Sequence, residues 1–321
     1  MKFFFAALGG LSLAASFTAS FAASEQTAPP VGDWSVETVT VMAQAPGPAF
    51  WHLSKGDSEI WILGTLGPLP ENLVWDTSHL AKLVEGARVV LAPPEASAGI
   101  FEVGWLLLTN SDLLSMPDGQ KLEASLPPEL RARFVAARES IKQDAEHYED
   151  DAPVVAALKL ERDFNKANGL SWEQPRQMVE KIASAKHVKF RTIADYDAMP
   201  MAKELLRLPA DQARSCLENA VHDLELRAVH AKAAAEAWAA GDVKSVKAHY
   251  TEPNLEHCAM QSGKFSQLDE RGIADSLAAI DEALSKPGKT IMLVDIGSLL
   301  RNTGVVEKLR AQGVVIEGPA Q

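Results

Sequence analysis

Two apolar runs of strand length, set far apart in the chain, limit what it can fold into. Near one end, Glu59-Ile60-Trp61-Ile62-Leu63 follows the turn residues Lys55-Gly56-Asp57 and stops at Gly64. Near the other, Lys289-Thr290-Ile291-Met292-Leu293-Val294-Asp295-Ile296 follows Pro287-Gly288 and stops at Gly297. Such continuous apolar runs are the pattern of strands covered on both faces, which is how parallel sheets are buried. A third run, Ala87-Arg88-Val89-Val90-Leu91-Ala92, is ended by Pro93-Pro94. Between the first and third, Leu73, Leu80, Leu83 and Val84 recur at helical spacing and predict a helix over Asn72–Glu85. Strand, helix, strand is a crossover unit and implies parallel pairing. Phe50-Trp51-His52-Leu53-Ser54 precedes the first run and makes a hairpin with it.

The middle of the chain reads as helix. Pro127-Pro128 starts one helix to about Gln143, and Ala152-Pro153 starts another to about Asn168, with Gly169 as its stop. Arg176–Ala185 is a third, followed by a strand over Phe190–Ala194, and Asp211–Ala240 is a long one ending at Gly241. Asp269–Ser285 carries Ile273, Leu277, Ile280 and Leu284 on one face. After the strand ending at Ile296 come a helix over Val305–Ala311 and a last strand, Val314–Ile316. The stretch 99–108 is strongly apolar and is expected as a buried helix rather than a partner surface. Trp51, Trp61, Trp75 and Leu73 are expected in the core. The fold class is α/β: a central, mostly parallel sheet built from both ends of the chain, with a large helical insertion over about 100–255.

The first residues have one positive charge at Lys2, an apolar stretch from Phe3, and the small-residue exit Ser20-Phe21-Ala22. That is the pattern of a cleavable secretory signal peptide over residues 1–22, the competing reading being a retained membrane anchor. Residues 23–48 are expected as a linker with an edge strand near Val36–Val41, and 49–321 as the folded domain. No later run is long and apolar enough to span a bilayer. The mature protein is expected in the periplasm. With 43 acidic against 31 basic residues and a formal charge of −12, the chain has no phosphate-neutralising footprint, which disfavours nucleic acid as a partner. In an oxidising compartment the two cysteines, Cys216 and Cys258, are expected to form a disulfide; the alternative is two separate buried thiols.

The strand ends carry the functional question, because ligands of α/β sheets gather at the carboxyl ends of the strands. Gly64-Thr65-Leu66-Gly67, Val89-Val90-Leu91-Ala92, Ala237-Trp238-Ala239-Ala240-Gly241-Asp242, Glu270-Arg271, Asp295-Ile296-Gly297-Ser298-Leu299 and the stretch from Gly304-Val305 to Gly313 resemble, in order and spacing, the motifs of the TraB/GumN family. Its relatives include the TIKI metalloproteases and the erythromycin esterase-like fold. The resemblance covers about residues 49–319. It implies two histidines and a glutamate that bind a divalent metal or carry hydrolysis. Here those three positions are Gly67, Ser298 and Ala92, which offer a metal one hydroxyl between them.

Other residues could rebuild a site: Asp295 and Ser298 at one strand end, Glu95 beyond the double proline, and Arg271 to hold an anion. The plainer reading is that Asp295 caps its turn, Glu95 is solvated and Arg271 pairs with a nearby acid. Ile296-Gly297-Ser298-Leu299-Leu300 is not a nucleophile elbow. His222 and His230 stand two turns apart on one helix, and His249, His257 and Cys258 make a weak ligand set. No phosphate-cradling or dinucleotide motif is present, so no cofactor is expected. The expectation is a catalytically inactive, exported TraB/GumN-like protein that binds a small molecule or another periplasmic protein. The alternative is a hydrolase, peptidase or esterase, with a rebuilt and metal-independent site.

Overall fold

The computed structural model describes residues 47–117, 119–251, 253–255, 258, 263–300, 305–311 and 314–319. The expected signal peptide, the linker and the strand near Val36–Val41 lie outside the described residues, as does His257.

Among the described residues ten strands form: β1 (Phe50–Lys55), β2 (Ser58–Thr65), β3 (Leu69–Pro70), β4 (Val89–Ala92), β5 (Glu95–Ser97), β6 (Leu170–Ser171), β7 (Phe190–Thr192), β8 (Asp195–Asp197), β9 (Gly288–Asp295) and β10 (Ile316–Glu317). Six of them make the main sheet, in the order β10-β1-β2-β9-β4-β7. Strands β2, β9, β4 and β7 run parallel to one another, while β1 is antiparallel to both β2 and β10. The expected hairpin closes at Lys55↔Ser58, with Gly56 at φ +56° in the turn.

The crossover reading needs one correction. Strands β2 and β4 are parallel but do not pair, because β9 lies between them. Leu63 faces Leu293 on one side of β9, and Leu91 faces Met292 on the other. The reason is burial: Ile291, Met292, Leu293 and Val294 are all buried, which only a central strand covered on both faces can achieve. Strand β2 shows a partial alternation: Ile60, Ile62 and Leu63 are buried, whereas Trp61 is half-buried and stacks on His52 with ring centroids 4.2 Å apart. The helix expected over Asn72–Glu85 is shorter, Ser78–Val84, and is preceded by a turn in which the Asp76 carboxylate accepts from the Ser78 amide.

The insertion is not wholly helical. Its helix Gln174–Ala185 returns the chain to β7, which becomes the edge strand beside β4. The other helices fall near their expected bounds: Pro128–Ser140, Pro153–Ala167 and Ala210–Ala239. The helix Gly263–Leu284 begins one to two turns earlier than its apolar face suggested. The double proline ends β4, and the chain then pairs again as β5 against β8.

The long helix Ala210–Ala239 joins two cores. Its first half places Leu217, Ala220, Val221 and Leu224 into a cluster with Phe134, Tyr148, Leu160 and Phe164 from the insertion. Its last turns place Ala234, Ala235 and Trp238 into the core built on the sheet. Asp223, beside Leu224 at the end of the first set, and Arg227, between the two sets, are both buried on the same helix. A charged pair of positions is tolerated there because both side chains are engaged. Asp223 accepts from the backbone amides of Asn254 and Leu255, and Arg227 donates to Asn165 and Glu161.

Candidate functional site

The parallel strands deliver their carboxyl ends to one cleft of about 470 Å³, lined among others by Gly67, Glu95, Asp295 and Ser298. Strand register puts Thr65 beside Asp295, so the end of β2 and the end of β9 open at the same level. Three of the four residues read as a rebuilt site therefore share a cleft. Arg271 does not line it: its guanidinium pairs with Asp275 at 3.7 Å and lies 4.9 Å from the Tyr196 ring centroid.

Two of the carboxylates that line the cleft, Asp295 and Glu95, are already engaged. Asp295 Oδ1 accepts from the Ser298 amide at 3.1 Å, which caps the short helix Ile296–Leu300. Glu95 forms an ion pair with Arg176, whose Nη2 also donates to Thr192 at 3.2 Å. Ala92 is fully buried, and its carbonyl accepts from Ile193 at 3.0 Å. Its position contributes no side-chain donor to the cleft.

Gly67 is blank for a spatial reason. A Cβ there would stand 2.6 Å from Cε3 of Trp172, so the indole occupies the space into which any side chain at position 67 would project. Gly297 is equally constrained: a Cβ there would overlap the Tyr250 hydroxyl and stand 2.9 Å from Asp295 Oδ1. Trp172 and Tyr250 line both the large cleft and a neighbouring cavity of about 40 Å³ that reaches Asp223 and Arg227. Trp172 thus puts ring surface where position 67 has no donor, and Tyr250 puts its hydroxyl against the glycine that precedes Ser298. Tyr196, also on the cleft, has its phenol pushed up to about 12 by burial and by its hydrogen bond to the Asp275 carboxylate, and stays protonated near neutral pH.

The donors present do not fit a divalent metal. Gly67 and Ala92 offer none, Ser298 offers a hydroxyl, and among the described residues no three His, Cys, Asp or Glu side chains converge. The histidines are used elsewhere. His52 lies between Glu59 and Glu317, His147 bonds to Asp163 at 2.7 Å, and His222 lies 3.7 Å from Glu225. His230 meets His249 rather than His222, Nδ1 to Nδ1 at 3.4 Å. Cys258 is joined to Cys216, as expected, which removes it from any ligand set.

Sequence reading missed Trp172, Tyr196, Tyr250 and Asp269 as cleft residues. Only Tyr250 carried a usable signal, since it ends the helix that follows the Trp238–Asp242 motif. A Gly67→His variant is expected to lose about 1–2 kcal/mol of stability, because the Trp172 ring must leave its seat over Gly67. Adding Trp172→Ala should recover about half of that loss, measured by urea unfolding as a double-mutant cycle. Strict additivity of the two substitutions would show that the ring does not fill this space.

Two further pieces of the motif set have a structural role. Trp238 Nε1 donates to the Gly64 carbonyl at 2.7 Å, tying the end of the long helix to the end of β2. Gly241, at φ +71°, ends that helix, and Asp242 caps the next, Val243–His249, by accepting from the Ser245 amide. No curated protein and no solved structure matches the chain. The TraB/PrgY/gumN family model matches residues 49–318, and with that span and these motif contacts the chain belongs to the TraB/PrgY/gumN family.

Proposed function

We propose that this is an exported member of the family that binds a ligand in the cleft at the strand ends and does not catalyse. The observation that carries the reading is the Trp172 ring seated where a side chain at position 67 would stand. Loss of a donor together with the filling of its space turns a reaction site into a binding surface. Export is supported by the N-terminal sequence pattern and by the Cys216–Cys258 bridge, which suits an oxidising compartment.

The cleft's chemistry suits an apolar ligand with a cationic or hydrogen-bond-donating group. Trp172, Phe265, Leu268 and Ile273 supply apolar wall. Asp269 lines the same cleft and makes no ion pair with any described residue. Phenethylammonium is a suitable probe. Its titration is expected to quench tryptophan fluorescence saturably, and Asp269→Asn should weaken binding roughly tenfold. Equal binding by the variant would remove Asp269 from the reading. The purified protein is expected to contain no stoichiometric divalent metal, by elemental mass spectrometry, and to hydrolyse neither nitrophenyl esters nor peptides. Stoichiometric metal would overturn the proposal.

The competing proposal is a hydrolase rebuilt around Asp295, Ser298, Glu95 and Arg271. Its support is that Glu95, Asp295 and Ser298 line one cleft. Ester or peptide hydrolysis that disappears in Ser298→Ala would favour it over the binding reading.

A further inference from the structure

The helix Ile100–Thr109, expected from its composition to be buried, is instead the most exposed apolar element described. Phe101 is 89% exposed, Trp105 69% and Leu108 79%, while Leu106 is buried in the fold. These three positions, four and three residues apart, form one stripe along the helix. Phe101 and Trp105 with Leu108 expose on the order of 400 Å² of apolar surface, as much as a soluble monomer usually leaves in its largest patch.

We infer that this stripe is a self-association surface occupied by the same helix of a second copy. Three observations select a second copy over other occupants. First, the stripe is self-complementary about its middle. Gly104 lies midway between Phe101 and Leu108, and a Cβ at Gly104 would meet nothing within 4 Å, so another backbone can approach there. Two such helices crossing antiparallel at Gly104 place Phe101 of each copy against Leu108 of the other. That is the isologous pairing a two-fold axis requires. Second, the charges beside the stripe are complementary under the same two-fold. Glu102 lines one groove with Lys203 and Arg207, and neither cation makes an ion pair with any described residue. Across the axis, Glu102 of each copy reaches the cations of the other. Third, the stripe alone supplies about half of what one partner contributes to a standard interface, and the groove walls can supply the rest. A lipid surface would use the apolar stripe and the cations but leave Glu102 against anionic headgroups, and the chain's net charge of −12 opposes that approach.

The test is sedimentation velocity across a wide dilution series, on the chain as its host processes it. A monomer–dimer equilibrium is expected. Trp105→Glu should weaken it roughly thirtyfold or more without changing the circular dichroism spectrum, since the side chain is mostly exposed. Glu102→Lys should weaken it roughly fivefold, and adding Lys203→Glu with Arg207→Glu should restore it. A wild-type chain that stays monomeric throughout would overturn the inference. So would a dimer indifferent to Trp105→Glu, or a monomer that binds phosphatidylglycerol vesicles through Trp105.

Discussion

Replacing Trp238 by alanine is expected to destabilise the protein by about 3–5 kcal/mol, the usual cost of emptying a large aromatic site. Trp238 is 2% exposed, and its ring meets Trp75 edge-on with centroids 5.2 Å apart. The cavity would open where the long helix meets the sheet, so neighbouring elements cannot close it without moving the helix. The indole N–H to Gly64 carbonyl bond at 2.7 Å would go with it. Trp238→Phe separates the two contributions. It keeps most of the ring and removes the donor, and should cost about 1–2 kcal/mol. Urea unfolding of the two variants measures both. Equal losses would mean that the hydrogen bond, not the packing, holds the helix to β2. The consequence reaches the cleft, because Gly64 precedes Thr65 and Gly67 at the end of that strand. The Phe variant should therefore bind phenethylammonium more weakly than wild type while remaining folded.

Reduction of the Cys216–Cys258 bridge is expected to cost about 4 kcal/mol, from the chain entropy released by opening a 42-residue loop. For a domain of this size that lowers the thermal midpoint by roughly 7 °C. The same bridge supports one wall of the cleft. Cys216 lies on the long helix, and Cys258 follows the segment that carries Tyr250 and Pro253. Asp223 holds that segment as well, through the amides of Asn254 and Leu255. Reductant should thus lower the melting temperature and also weaken ligand binding, and a Cys216→Ser, Cys258→Ser variant should reproduce both without reductant. A mass that does not rise by two hydrogens on reduction would show that the thiols were free. A melting temperature unchanged by reduction would show that Asp223 and the core around Val154 and Ala213 suffice.

Much of the architecture was legible because burial on both faces writes itself into sequence as continuous apolar runs. The runs at Glu59–Leu63, Ala87–Ala92 and Lys289–Ile296 became β2, β4 and β9. Proline and glycine punctuation set the helix at Pro153 and the end of the long helix at Gly241, since those residues act through local backbone geometry. Strand order was not legible. Pattern shows that a strand is buried, but which neighbour buries it is decided by long-range pairing, and so β9 came to separate β2 from β4.

The apolar stretch 99–108 marks the opposite limit. Composition cannot distinguish a helix covered by its own chain from one left open, because both have the same hydrophobic pattern. Only the packing of the rest of the domain decided that Phe101, Trp105 and Leu108 stay outside.

By itself, the sequence determined that glycine, alanine and serine stand at positions 67, 92 and 298, which offer a metal one hydroxyl between them. What stands in their place was a matter for the tertiary structure alone. The Trp172 ring over Gly67 comes from a segment distant in the chain, as does the Tyr250 hydroxyl against Gly297, the neighbour of Ser298. Glu95 reaches the cleft already paired with Arg176 from the helix Gln174–Ala185, and Asp295 reaches it already capping a turn. A residue's chemistry is fixed by its side chain, whereas its availability depends on what the fold packs against it.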